Sequence, residues 1–220
     1  ADSLKIKYTT SNYFGSVTEI DDWMGKLFEA LKENGLKENT LVIFTSDHEE
    51  MLGANGMREK NVYYEESNRI PLNMKFPKQI KTGVKVNNPL SNLYATILDY
   101  LDVEGDASDS NSLRPLNDGE KTDKFNIVVT EWNNNLKDNE PDYMIVKAEW
   151  KLFISYSPTS KVINASYDLK NDPKEVNNLI GKNPNKTKHL EKENKLKENP
   201  LAWLLDKKSI HYKGVKERIL

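Results

Sequence analysis

Residues 40–60 read TLVIFTSDHEEMLGANGMREK, and the fold turns on how this stretch divides. Thr40 to Thr45 is an unbroken apolar and β-branched run, the pattern of a strand buried on both faces in an α/β domain. It stops at Asp47-His48, adds Glu49 and Glu50, and spends Gly53 and Gly56 before Lys60. Ligands of open α/β sheets gather beyond the carboxyl ends of strands, so the Asp-His pair stands where a ligand would bind. A carboxylate and an imidazole leaving one strand together suit a divalent metal. A loop with two glycines can fold back and set the Lys60 ammonium beside it, an arrangement suited to a tetrahedral oxyanion. The plain alternative is a turn and cap with a solvated lysine. Two protein ligands rarely complete a hydrolytic metal site, and no nucleophile accompanies them in this stretch.

Working outward, Tyr13, Val17, Ile20, Met24, Leu27, Phe28 and Leu31 keep the three-and-four spacing of one helical stripe, with Ser11 as its cap and Gly35 as its stop. Arg69 to Phe76 alternates apolar with polar residues and predicts a less central strand ended by Pro77. Asn88-Pro89 opens a second helix with Leu90, Leu93, Ile97, Leu98 and Leu101 on one side, ending near Gly105. Residues 104–124 are polar and turn-rich, a loop or boundary. Four closely spaced β-rich runs follow (125–132, 143–148, 151–156 and 162–169) and predict an antiparallel sheet. Asp172-Pro173 starts a short helix. The lysine-rich stretch from Pro184 to Lys208 predicts a surface helix interrupted at Asn199-Pro200 and docked by Trp203 and Leu204.

Composition bounds the function. With 220 residues and 37% hydrophobic content the chain can build a real core. Its 32 basic and 34 acidic residues nearly cancel, which gives no global field for a nucleic acid or an anionic membrane. No window has the apolar length of a membrane span, and the first residues, ADSLKIKYTT, lack the apolar core of a signal peptide. The absence of cysteine excludes disulfides, thiolate metal sites and a Cys nucleophile within these residues.

The motif-bearing residues resemble the sulfatase family of the alkaline-phosphatase-like superfamily. The family pattern is a strand ending in Ser-Asp-His-Gly or Ser-Asp-Asn-Gly, a glycine loop to Gly-Lys, then Tyr-Glu-Glu/Gly and Arg-Val-Pro-Leu. Its counterparts here are SDHEEMLGANGMREK and YYEESNRIPL, in the same order and spacing. NYFGSVTEIDDWMGKLFEALKENGLKENT resembles the preceding helix, and NLYATILDYLDV and SLRPLNDGE resemble segments that follow. WKLFISY and YDLKNDPKEVNNL resemble the closing strands and the C-terminal signature.

The resemblance implies an α/β fold: residues 1–105 as the C-terminal part of an alkaline-phosphatase-like α/β domain, 106–124 as a loop or linker, and 125–220 as a small subdomain with a four-stranded antiparallel sheet and packing helices. It implies Asp47 and His48 as metal ligands and Lys60 as the catalytic, substrate-binding lysine, with Glu65, Glu66 and Arg69 as a structural, buried ion pair. The implied metal is Ca²⁺, and the imidazole leaves Mg²⁺, Mn²⁺ or Zn²⁺ open. The implied reaction is hydrolysis of a sulfated small molecule or carbohydrate. A phosphodiester or phosphonate monoester hydrolase of the same superfamily, or a degenerate non-catalytic glycan-binding homologue, are the alternatives. A bacterial source and a periplasmic or extracellular location go with the family.

Two departures stand out. The family's Gly after Asp-His is Glu49 here, which crowds the site, adds a ligand or points away; the sequence leaves all three open. The family's nucleophile is a formylglycine made in a Cys/Ser-x-Pro/Ala-x-Arg motif. None of Arg58, Arg69, Arg114 and Arg218 follows such a pattern. The expectation is therefore the C-terminal part of a longer enzyme, inactive alone, with the nucleophile on a missing N-terminal half.

Overall fold

A computed structural model describes residues 3–81, 83, 90–107, 110–120, 127–132, 141–155, 164–180, 186–206 and 212–217. Their contacts gather into two units, 1–83 and 84–220.

The first unit opens with helix α1, Ser3–Glu33. It starts earlier than its stripe predicts, because SLKIKYTTSN contains neither Pro nor Gly to stop it, and Ser11 is an exposed interior residue, not a cap. Its end follows the glycine rule. Gly35 sits at φ 69°, Leu36 N–H donates to Leu31 C=O (2.9 Å) and Gly35 N–H to Lys32 C=O (3.1 Å), the paired bonds of a Schellman stop. No residue of α1 is buried, and Phe14, Val17, Ile20, Leu27 and Phe28 stand exposed.

Strand β1, Val42–Thr45, pairs antiparallel with β2, Leu72–Lys75, in the register Val42 to Lys75 and Thr45 to Leu72; α2, Glu65–Asn68, lies between them in sequence. The expectation of a strand buried on both faces is corrected: β1 is half-buried and Phe44 is exposed. An apolar run records a preference for burial, but burial needs neighbours on both faces, and a two-stranded sheet supplies one neighbour per strand. Strand β2 alternates half-buried Leu72 and Met74 with exposed Asn73 and Lys75, as its pattern predicts.

In the second unit α3, Asn92–Leu101, turns a different face inward from the one its leucines predict. Asn92, Ala95, Thr96 and Tyr100 are buried, while Leu90 and Leu101 are exposed. Polar groups hold that face against residues 110–114. Thr96 Oγ1 accepts from Leu113 N–H (3.0 Å), Asn92 Oδ1 from Asn111 N–H (3.0 Å), and Ser110 Oγ from Ala95 N–H (3.1 Å). Arg114 donates to Asp99 C=O at 2.8 Å and to its carboxylate at 3.1 Å, and leads into the short helix α4, Arg114–Asn117. The turn-rich stretch around 104–124 thus contains a docked segment, with Leu113 and Asn117 buried. The Asn88-Pro89 start of the helix lies outside the described residues.

Strands β3 (Ile127–Trp132), β4 (Asp142–Lys147), β5 (Trp150–Ile154) and β6 (Ala165–Asp168) form the expected antiparallel sheet in the order β3-β4-β5-β6. Tyr143, Ile145, Leu152 and Ile154 build a core with Leu196 and Leu204 of helix α5, Lys186–Asp206, and Val215 of helix α6, Tyr212–Glu217. Two expectations fail here. Helix α5 runs through Pro200 without interruption, because Asn199 Nδ2 donates to Leu196 C=O (2.9 Å), the acceptor that the proline nitrogen cannot serve. No helix starts at Asp172-Pro173. Glu175 takes φ 52°, and the Asp172 carboxylate accepts from Val176 and Asn177 N–H (3.1 and 2.8 Å), a closed turn. Glu175 is fully buried, with Oε1 2.9 Å from Nζ of equally buried Lys151 on β5. Among the described residues no helix is long and apolar enough to cross a membrane.

Candidate metal and anion site

The site grows out of the end of β1. Thr45 Oγ1 donates to Pro71 C=O (2.8 Å), which ties the strand end to the β2 side. The next residues close on themselves: Ser46 Oγ donates to His48 C=O (2.6 Å), and His48 N–H donates to Asp47 Oδ1 (2.9 Å). This turn projects both side chains together, with His48 Nε2 3.5 Å from Asp47 Oδ2. The Asp47 side chain is 85% exposed and that of His48 39%, so both face a space a ligand can enter. The Asp47 carboxyl is held below its ordinary range chiefly by the His48 backbone N–H, against a smaller opposing effect of burial; the Lys60 charge adds to the lowering.

The glycine loop returns Lys60 to this pair. Met51 anchors it, buried, with its N–H on Glu59 C=O (3.1 Å), and Gly53 N–H reaches Met57 C=O (2.8 Å). Glu50 accepts at one carboxylate oxygen from the backbone N–H groups of Leu52 and Glu59. Gly53 has two reasons to be glycine: φ is 97°, and a Cβ there would lie 3.1 Å from the Ile6 side chain of α1. Lys60 Nζ ends 2.6 Å from His48 Nε2. An ammonium only donates and a carbonyl only accepts, so Lys60 at Nε2 and the Glu49 carbonyl at Nδ1 (3.1 Å) agree on one tautomer, Nδ1–H with a lone pair on Nε2.

Asp47, His48 and Lys60 therefore stand together where the sequence puts them. A carboxylate oxygen and an imidazole lone pair 3.5 Å apart suit one divalent cation, with the second ring nitrogen oriented by a backbone carbonyl. They form a partial set, since the described residues contain no group of three His, Cys, Asp or Glu able to hold a metal ion. An ion at Nε2 and the ammonium cannot share that lone pair, so an ion there would require the flexible lysine to turn toward an anion instead.

Glu49 does not enter this cluster. Its carboxylate accepts from the Tyr13 hydroxyl of α1 (3.0 Å), and its N–H donates to Ser67 C=O (2.9 Å). Of the three readings open for Glu49, the structure takes the one that points away. Tyr13 is the neighbour that sequence reasoning missed, because its place on an apolar stripe marks it as core. Burial, the bond to Glu49 and the charges of Glu49 and Glu50 raise its phenol above the ordinary value. The expected buried ion pair of Glu65, Glu66 and Arg69 is not buried at its cationic end, since Arg69 is exposed at the end of α2.

The sulfatase family model matches residues 4–103, which include the whole of this site. Over those residues the chain belongs to the sulfatase family. The chain is 32% identical over 197 residues to the multifunctional alkaline phosphatase superfamily protein PehA of Trinickia caryophylli, covering 82% of this chain and 38% of that protein. An N-acetylglucosamine-6-O-sulfatase of Bacteroides thetaiotaomicron is 30% identical over 191 residues, covering 82% and 33%. A structure described as a complex with its substrate D-glucosamine-2-N,6-O-disulfate superposes with a TM-score of 0.70 at 27% identity, over 90% of this chain and 39% of that one. The chain thus spans about a third of the length of the relatives it matches. The sulfatase likeness agrees with the fold described above, including the antiparallel sheet with its packing helix.

Proposed function

We propose that this chain supplies half of the active site of a sulfuric ester hydrolase that acts on a sulfated carbohydrate. One observation carries the reading: β1 and its glycine loop bring Asp47, His48 and Lys60 to a single point open to solvent. Asp47 and His48 hold a divalent metal, Ca²⁺ by family resemblance, and Lys60 binds the ester's oxyanion. The metal, when bound, supplies Lewis-acid polarisation of the ester. The chain's own residues orient it: the Glu49 carbonyl sets the His48 tautomer, the His48 N–H holds Asp47 ionised, and Lys60 places a positive charge on the anion and the departing oxygen. The nucleophile, a formylglycine by the same resemblance, and the remaining ligands belong to sequence outside this chain. The apolar face of α1 packs against that sequence in the full-length protein.

The test separates the two roles in the full-length protein. Asp47→Ala loses bound metal and turnover of a sulfate ester together. Lys60→Ala keeps the metal and loses about 10²–10³-fold in kcat, the scale of one removed oxyanion donor. Equal metal loss in both variants refutes the assignment. A phosphodiester or phosphonate monoester hydrolase is the second reading, favoured by the likeness to a multifunctional alkaline phosphatase superfamily protein and by a lysine that binds either tetrahedral anion. Matched sulfate and phosphate esters of one alcohol distinguish them. The site also bears on a degenerate homologue: Glu49, the departure next to the Asp-His pair, leaves the cluster uncrowded.

A further inference from the structure

We propose that Tyr13 and Glu49 form a positioning clamp for His48, an inference that rests on the reading of Asp47 and His48 as a metal pair. Where the family pattern has a glycine, Glu49 is fixed at three points. Its N–H donates to Ser67 C=O (2.9 Å), its carbonyl accepts from His48 Nδ1 (3.1 Å), and its carboxylate accepts from Tyr13 (3.0 Å). The carbonyl decides which His48 nitrogen keeps its lone pair. A carbonyl holds a ring only as well as its own peptide is held. A glycine would keep the main-chain bond to Ser67 but lose the tether to Tyr13, in a loop built on left-handed residues at Leu52, Gly53, Asn55, Gly56, Glu59 and Asn61.

The clamp substitutes a side-chain tether to a helix for backbone rigidity. Helix α1 meets this loop at a second point, Ile6 against Gly53, so the tether ends on an element already in contact with the loop. The Tyr13 hydroxyl donates to the Glu49 carboxylate and not to Asp47 or His48, so it acts through Glu49. Partners that orient a ligating imidazole carry about 10–100-fold in metal affinity, and a tether one bond further out falls near the lower end.

The experiment uses the full-length protein, calorimetric titration with Ca²⁺ alone, and ¹⁵N NMR of the His48 ring in the metal-free state. Tyr13→Phe weakens Ca²⁺ binding by about tenfold and mixes the Nδ1–H tautomer with the other. Glu49→Ala does the same, and the double variant loses no more than either single one, the mark of a shared pair. Glu49→Gln, whose amide oxygen still accepts from the phenol, restores binding to within about twofold of the parent. Unchanged Ca²⁺ affinity and an unchanged tautomer in Tyr13→Phe overturn the clamp, as do additive losses in the double variant. If Tyr13→Phe does not fold, Glu49→Gln against Glu49→Ala decides alone, and equal effects refute the proposal. Asp47→Ala with unaltered Ca²⁺ affinity would instead sink the metal reading, while the His48 tautomer still judges Tyr13.

Discussion

In residues 84–220, Tyr143, Ile145, Leu152 and Ile154 lie fully buried against Leu196, Leu204 and Val215; in residues 1–83, the 31-residue helix α1 has no fully buried residue. Both regions have apolar residues at helical or strand spacing. They differ in whether the chain supplies a second layer to cover them. The sheet β3–β6 meets its helices within the same unit and closes a core. The unit that carries the candidate chemistry keeps its apolar helix face exposed and presents its polar residues from a loop. A stable scaffold and an incomplete site are thus separable along this chain, and that separation is open to attack.

The largest expected effect falls on the buried pair. Lys151→Met leaves Glu175 as a buried charge without its ion-pair partner and costs about 3–5 kcal/mol, measured from hydrogen exchange of β5 amides. Joining it to Glu175→Leu recovers much of that loss, and a double variant as unstable as the single would show that the charges are not what matters. Next comes the core contrast. Leu152→Ala costs about 2–5 kcal/mol, whereas Leu27→Ala on α1 stays within about 0.5 kcal/mol in this chain. A Leu27→Ala cost as large as that of Leu152→Ala would break the distinction between the two regions.

Within the site unit, Gly53→Ala strains a φ of 97° and presses on Ile6. It costs about 1–3 kcal/mol locally, read as faster exchange of the Gly53 and Met51 amides, with residues 142–154 unaffected. The smallest effect is on pH. The Asn171 side chain, ahead of backbone bonds, holds the Asp168 carboxyl below its ordinary value. A depressed carboxyl adds stability above its unfolded pKa and loses it as pH falls through the folded value. Asn171→Ala therefore moves the Asp168 titration upward in an NMR pH series, and a titration that does not move refutes the cause.

The meeting of Asp47, His48 and Lys60 and the positive φ of Gly53 were legible without coordinates because they are local. A strand end, a glycine that tolerates positive φ and a lysine at a set distance along the loop are properties of a short segment, and so was the sequence of four antiparallel strands. Other expectations failed for one reason. The buried face of α3 and the exposure of β1 depend on what lies opposite in space: Thr96 and Asn92 are buried because residues 110–114 supply their partners. Glu49 shows the limit most sharply. Its identity as a departure can be read from one line of letters, but its direction is set by a tyrosine 36 positions away on another element. Spacing along a chain carries backbone geometry; partnership across it is settled only when the chain has folded and every buried polar group has found what it bonds to.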